Sequence, residues 1–196
     1  GAELLLFNGS DGEWRAEVAQ AGKRGGGLVC RAQSKPQEVP PDIWLIFAPV
    51  KKARTDFIVE KAVELGVRRI LPVQSDFTNS ERIRRDRLQA HAVEAAEQCG
   101  GTYVPEVADL VRLDRLLADY ADHPRIRFCY GPAGPQWVSD PLMRQLVTDA
   151  ETRGLGLHLH ALESPAQSAA LSELFADGTI AHLDELGVLT PRTVLA

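Results

Sequence analysis

The sequence predicts an α/β protein whose main part is an open parallel sheet covered by helices on both faces. Two observations predict it. From residue 43 onward, apolar strand-like runs alternate with segments of helical period, as strand–helix–strand units do. Before residue 43 the pattern differs. Three short strand-like runs, 3–7, 13–19 and 27–32, are punctuated by Asn8-Gly9, Asp11-Gly12 and Gly25-Gly26-Gly27, the mark of antiparallel hairpins. Two or three such strands do not make a stable domain alone. The chain opens Gly1-Ala2-Glu3 and runs straight into Leu4-Leu5-Leu6-Phe7, which suggests that it begins inside a domain.

Residues 33–42, rich in Pro and polar residues, read as a linker. Ile43–Phe47 is an unbroken apolar run, expected of a strand buried on both faces. Residues 54–65 have helical spacing, with Phe57, Ile58, Ala62 and Leu65 on one face and Gly66 placed for a left-handed cap. A strand over 69–74 follows. Asn79 or Ser80 suits the cap of a helix reaching about Gln98, with Leu88, Ala92, Ala95 and Cys99 inward. Leu113, Leu116, Leu117 and Tyr120 mark the next helix, and Ile126, Phe128 and Tyr130 alternate as a strand. Leu142–Ala150 reads as helix and Leu155–Ala161 as strand. Ala166–Ala176 reads as helix, and a short strand is expected near Ile180–Leu183.

The 196 residues can bury a real core, and the composition, 44% hydrophobic and 25% charged, is that of a globular protein. No apolar run approaches the ~18 residues of a membrane span. Cys30, Cys99 and Cys129 are widely spaced, giving neither a disulfide framework nor a zinc motif; this fits a cytoplasmic protein. The net charge of −5 is unevenly spread. Residues 51–87 hold ten Lys/Arg against six Asp/Glu, and residues 88–196 hold seven against fifteen. Lys51, Lys52, Arg54, Arg82, Arg84, Arg85 and Arg87 read either as a phosphate-binding stripe or as a solvated face interleaved with Glu81 and Asp86.

Two stretches carry a family resemblance. Arg54-Thr-Asp-Phe-Ile-Val-Glu-Lys-Ala-Val-Glu-Leu-Gly66 leads into Arg69-Ile-Leu-Pro-Val73, and residues 94–105 read Glu-Ala-Ala-Glu-Gln-Cys-Gly-Gly-Thr-Tyr-Val-Pro. Together they resemble the bacterial 16S rRNA uridine-N3 methyltransferases, the RsmE family of the knotted SPOUT class, most closely over residues 43–107. The resemblance implies a SPOUT-like trefoil-knotted open parallel sheet over residues 39–196. A partial PUA-like β-barrel, an RNA-binding domain, would precede it over residues 1–38. It also implies a homodimer, 16S rRNA as partner and S-adenosylmethionine as cofactor, with methyl transfer to uridine N3. Such transfer needs alignment of nucleophile, methyl and leaving sulfur, and a route for the N3 proton. The resemblance names no acceptor for that proton. Gly101 stands where the family usually has arginine.

In the family, two tight turns hold the cofactor, and close backbone approach favours glycine there. The second turn matches best at Leu186-Gly187-Val-Leu-Thr-Pro-Arg192-Thr193-Val-Leu-Ala196, with Leu186, Gly187, Arg192 and Thr193 in register. The first then falls at Ala161–Ala166, where Glu163 agrees and the glycines are replaced. A rival alignment puts the glycine turn at Gly131-Pro-Ala-Gly-Pro-Gln-Trp137 and the second turn at Ala161–Ser168. If neither turn works, the chain is a non-catalytic RNA-binding relative that keeps the scaffold. His158 and His160 alternate on a strand; they read as polar-face residues, and no metal is expected.

Overall fold

The computed structural model describes residues 2–78 and 82–196 and divides into two compact units, 1–116 and 117–196. The first unit opens with β1 (Glu3–Phe7), β2 (Glu13–Gly22) and β3 (Gly25–Lys35), an antiparallel meander in that order. The β1–β2 turn is built by Asn8, whose Oδ1 accepts from the backbone N–H groups of Ser10 and Asp11. Gly12 has φ +77°, and a Cβ there would lie 2.3 Å from the Lys35 carbonyl oxygen, so only glycine fits.

The rest of this unit is β4 (Trp44–Phe47), α1 (Lys52–Glu64), β5 (Arg69–Gln74), α2 (Arg85–Cys99), β6 (Glu106–Val107), β7 (Val111–Arg112) and the first four residues of α3 (Leu113–Asp119). β4, β5 and β6 pair in parallel in that order, and β7 pairs in parallel with β5. Val59, Ala62, Val63, Ile70, Leu88, Ala92, Ala95, Ala96 and Val107 form the core. The linker is pinned at Glu38, whose N–H donates to the buried Thr102 hydroxyl at 3.0 Å.

Three expectations are corrected here. α1 turns Thr55, Val59, Ala62 and Val63 inward, leaving Phe57 57% and Leu65 83% exposed. Both sets have helical spacing, and the smaller one wins because it lets α1 lie close against the alanines of α2. β4 is an edge strand rather than a doubly buried one: Ile46 is exposed. Cys99 is exposed and Ala96 takes its inward place. The expected cap at Asn79 or Ser80 lies outside the described residues; the helix itself starts at Arg85. Gly66 behaves as expected. Its φ is +77°, its N–H reaches Val63 O, and the Val67 N–H reaches Ala62 O, a Schellman closure.

The second unit holds β8 (Cys129–Tyr130), a 3₁₀ turn (Pro135–Trp137), α4 (Asp140–Arg153), β9 (Gly156–Leu159), α5 (Pro165–Leu174), α6 (Thr179–Glu185) and β10 (Thr193–Leu195). The strands pair in parallel in the order β10-β9-β8. Met143, Val147, Ala150, Leu157, Leu159, Leu183, Leu186 and Val188 pack together. The strand expected near Ile180–Leu183 is instead α6. Thr179, Leu183 and Leu186 are buried at spacings of four and three, a helical period that a four-residue window hides. β8 is shorter than the Ile126–Tyr130 alternation predicts.

Candidate functional site

In the first unit, β4 and β5 run parallel with Phe47 opposite Pro72, so their carboxyl ends share one edge. β4 leads through Pro49, Val50 and Lys51 into the N-terminus of α1. Thr55 locks that junction, its hydroxyl donating to Val50 O and accepting from Val50 N–H. A groove of about 470 Å³ opens here, lined by Val50, Lys52, Thr55, Arg82, Ile83, Arg84, Arg87 and Leu88. Thus four of the seven basic residues singled out in the sequence, Lys52, Arg82, Arg84 and Arg87, converge on one apolar-floored groove beside a helix N-terminus, where backbone N–H groups also favour anions. Lys51 and Arg54 flank it, exposed, at the start of α1.

The groove's cations are not equivalent. Arg87 is half-buried and bound by both guanidinium nitrogens to Asp56. Arg84 meets Asp86 at 2.6 Å on the surface, and this bond holds the Asp86 carboxyl below the usual carboxylate range. Arg85 points away from the groove, donating to Val107 O at 2.7 Å beside Glu106. Lys61, in the motif that carries the resemblance, bonds Glu64 at 2.7 Å on the surface; that bond, then Glu60, raises its pKa.

In the second unit the residues chosen from the first alignment separate. Leu186 is core, and Gly187, with φ +75°, closes α6 in a Schellman pattern through Val188 N–H to Leu183 O. Thr190–Thr193 is a tight turn leading into β10; the Thr193 hydroxyl bonds both Thr190 and the Val188 carbonyl. Arg192, exposed, rims a cavity of about 410 Å³ floored by Val147, Ala150, Leu155 and Leu157. These four residues lie towards the amino ends of β9 and β10. Glu163 follows the carboxyl end of β9, at the opposite edge, so the five do not form one cluster.

The rival alignment's first turn meets the chain at His160, the residue just before its second turn. The Ala133 carbonyl accepts the His160 N–H, and a Cβ on Gly134 would lie 3.1 Å from His160 O. Both turns stand at the carboxyl edge of β8 and β9, where open parallel sheets bind ligands. Three further features mark this edge, of which the strain and the buried acceptor leave no trace in the sequence. Leu162 has φ +62°, unusual for a branched residue and a mark of stored strain. Gln136 Oε1 is buried with no hydrogen-bond partner among the described residues. Ser164 caps α5, accepting from Gln167 N–H, so a helix N-terminus points at the edge. His160 Nδ1 lies 4.0 Å from Glu163 Oε2.

Parallel strands with helices between them, and turns gathered at their carboxyl edge, define an α/β protein. Residues 37–149 match the model of the family described as an RNA methyltransferase domain, and the chain belongs to that family. Among curated proteins it is similar to the ribosomal RNA small subunit methyltransferase E of Rickettsia conorii, 28% identical over 114 residues, which are 58% of this chain and 47% of that protein. It is also similar to a 5-methylthioadenosine/S-adenosylhomocysteine deaminase of Nitratidesulfovibrio vulgaris, 28% identical over 158 residues, 76% of this chain and 36% of that protein. The chain thus spans less than half the length of either relative. Among solved structures it resembles a ribosomal RNA small subunit methyltransferase E from Neisseria gonorrhoeae bound to S-adenosyl methionine. There the TM-score is 0.62 and the identity 21%, over 89% of this chain and 84% of that one. A probable rRNA-methyltransferase from Porphyromonas gingivalis gives a TM-score of 0.63 at 19% identity, over 87% of this chain and 80% of that one. These likenesses show a shared mixed α/β fold with parallel sheets.

Proposed function

We propose that this chain is an S-adenosylmethionine-dependent methyltransferase of small-subunit rRNA, with N3 of a uridine as the acceptor. The family match supports the reaction class. The groove of Lys52, Arg82, Arg84 and Arg87, flanked by Lys51 and Arg54, supports the RNA partner, since a converging set of cations binds successive phosphates. Arg85, turned to Val107, contributes to stability instead.

The observation that carries the cofactor reading is the Gln136 Oε1 of the Gly131–Trp137 turn, buried without a partner among the described residues. A buried acceptor without a donor costs about 1–3 kcal/mol, and an adenine amino group or a ribose hydroxyl supplies the missing donor. The residues of this edge fit S-adenosylmethionine. Gly131 and Gly134 let backbone approach its adenosyl group closely, Gln136 accepts from that group, and the α5 N-terminus with Ser164 receives the carboxylate of the methionine part. Glu163 stands at this edge to neutralise a sulfonium or amino group. The bound cofactor supplies an electrophilic methyl; the chain orients it and excludes water. Leu186, Gly187 and Thr193 hold the sheet behind the site, and Arg192 stays exposed at the rim of the cavity towards its amino edge. The same reading carries a homodimer, a cytoplasmic setting, a PUA-like RNA-binding barrel over residues 1–38 and a knotted domain over residues 39–196.

Calorimetric titration with S-adenosylhomocysteine tests the proposal. Binding that weakens in Gln136→Leu is expected, and no heat at millimolar ligand would overturn it. A second reading follows from the deaminase relatives: the same nucleoside is bound and its adenine deaminated. Incubation with S-adenosylhomocysteine separates the two, because deamination releases ammonia and shifts the adenine absorbance, whereas methyl transfer leaves the base intact.

A further inference from the structure

The β5–α2 loop presents an aromatic ring that the phosphate groove does not use. Phe77 is 94% exposed. It sits at the third position of a turn, Ser75–Thr78, closed three times over. The Thr78 N–H donates to Ser75 O at 3.2 Å, the Ser75 N–H to Thr78 Oγ1 at 2.7 Å, and the two hydroxyls meet at 3.0 Å. A turn so fastened fixes the backbone that carries the ring, although no described residue covers the ring itself. Water solvates such a side chain poorly, and a held, unburied phenyl group is a ready platform for another flat surface.

Position tells which surface. The turn follows Gln74, the last residue of β5, at the carboxyl edge where β4 hands over to Lys51 and Lys52. Arg82 and Arg84, which line the basic groove, follow Phe77 by five and seven residues in the sequence. An exposed aromatic ring at the same sheet edge as a cationic groove is the pairing that binds single strands: cations follow the phosphates while the ring stacks on a base. Bases inside a duplex hide their faces from such a ring.

We propose that Phe77 stacks on an unpaired base of the RNA whose phosphates lie in the Lys52–Arg84 groove, so that this edge selects single-stranded RNA over duplex. The proposal rests on the RNA-binding reading above. Binding of an oligouridine of about ten nucleotides, a length within the span of common single-strand sites, is measured across a salt series. The same strand paired with oligoadenosine is the duplex control. Phe77→Ala is expected to weaken single-strand binding roughly tenfold, to leave duplex binding unchanged and to preserve the salt slope, because every cation that meets a phosphate stays in place. Phe77→Trp retains affinity and adds a fluorescence quenched on binding beyond any change in the unsubstituted protein. Unaltered single-strand affinity in Phe77→Ala, or an equal loss on duplex, overturns the stacking role alone. Absence of salt-dependent binding by the unsubstituted protein overturns the RNA reading with it. The ring's exposure makes misfolding of either variant detectable as a change in melting temperature, for which none is expected.

Discussion

Arg87 grips Asp56 with two parallel hydrogen bonds, Nη1 to Oδ2 at 2.9 Å and Nη2 to Oδ1 at 2.6 Å, tying the first turn of α2 to the second turn of α1. His91 approaches the same carboxylate at 3.9 Å from one turn further along α2. The pair is half-buried, so it is less screened than the exposed ion pairs nearby. It sets the separation of the two helices that wall the basic groove. Asp56→Ala is therefore expected to cost about 1–2 kcal/mol, because a charge-assisted pair is broken and Arg87 is left without its partner. Arg87→Lys should recover only part of the stability, since an ammonium cannot make the paired hydrogen bonds. Urea denaturation midpoints measure both.

How much of this is legible in the sequence depends on the period of each signal. Gly66 announces its cap because a left-handed residue after a helix demands glycine. The helix and strand identities of residues 52–74 follow from long, regular patterns. The inward face of α1 does not, because Phe57 and Leu65 obey the same spacing as Val59 and Val63, and only packing against the alanines of α2 decides between them. α6 reads as a strand in the sequence because the four residues 180–183 span barely one helical turn and so show no repeat of its period. The basic groove is visible as charge density, but its division is not. Arg84 and Arg85 are adjacent in sequence and point to different partners, Asp86 and Val107. The carboxyl edge of β8 and β9 is the least legible. Its signals are the strain at Leu162 and the orphan at Gln136, and both exist only in three dimensions.

That division of Arg84 and Arg85 yields a paired prediction. Arg84→Glu is expected to lower the slope of log affinity against log salt by about 1 for each phosphate no longer neutralised, with little effect on stability. Arg85→Glu is expected to leave the slope close to that of the unsubstituted protein. It should lower the melting temperature, because the Val107 carbonyl loses its donor and the new carboxylate faces Glu106. Filter binding of RNA over a salt series, beside thermal melts, distinguishes them. Equal slopes for both variants would remove Arg84 from the phosphate track.

Leu186 and Arg192 are matched in the sequence to the same role, and the structure separates them. Leu186 is 4% exposed among Val147, Leu183 and Val188. Leu186→Ala is expected to cost about 2–5 kcal/mol through reduced burial and the cavity left behind. Arg192 is exposed at the rim of the 410 Å³ cavity, and Arg192→Ala should shift stability by less than about 0.5 kcal/mol. Chemical denaturation of the two variants checks this, and a large loss in Arg192→Ala would assign that guanidinium a structural role.

Gly156 begins β9 where three strands come close. A Cβ there would lie 2.6 Å from the Arg192 carbonyl oxygen and 2.9 Å from Cys129 Sγ. The Arg192 carbonyl is also the acceptor of the Leu157 N–H, so relief of the clash disturbs the β9–β10 ladder. Gly156→Ala is expected to destabilise by about 1–3 kcal/mol, the range for overpacking a tight interior. Hydrogen exchange should report the loss first at Leu157 and Ala196, whose amides bond across this sheet.

The Tyr130–Asp149 hydrogen bond makes the second unit's stability depend on pH at both ends. The hydroxyl donates to Asp149 Oδ2, and Arg153 Nε meets the same carboxylate at 3.1 Å. The tyrosine bond, then Arg153, hold the Asp149 carboxyl below its ordinary value of 3.8. The carboxylate, then burial, raise the Tyr130 hydroxyl above 10.0. A depressed carboxyl contributes stability that is present above 3.8 and lost as pH falls through the lower, folded value. A raised hydroxyl contributes stability that is present below 10.0 and lost as pH rises through the higher, folded value. Tyr130→Phe removes the bond, the hydroxyl's dependence and the tyrosine's share of the carboxyl's, while the share due to Arg153 stays in both proteins and cancels in their difference. The stability gap between the unsubstituted protein and Tyr130→Phe should therefore be level between about pH 5 and 9 and narrow beyond either limit. Urea midpoints across a pH series read the gap directly. A gap that stays constant below about pH 3 would show that the bond does not discriminate between the ionised and neutral carboxyl.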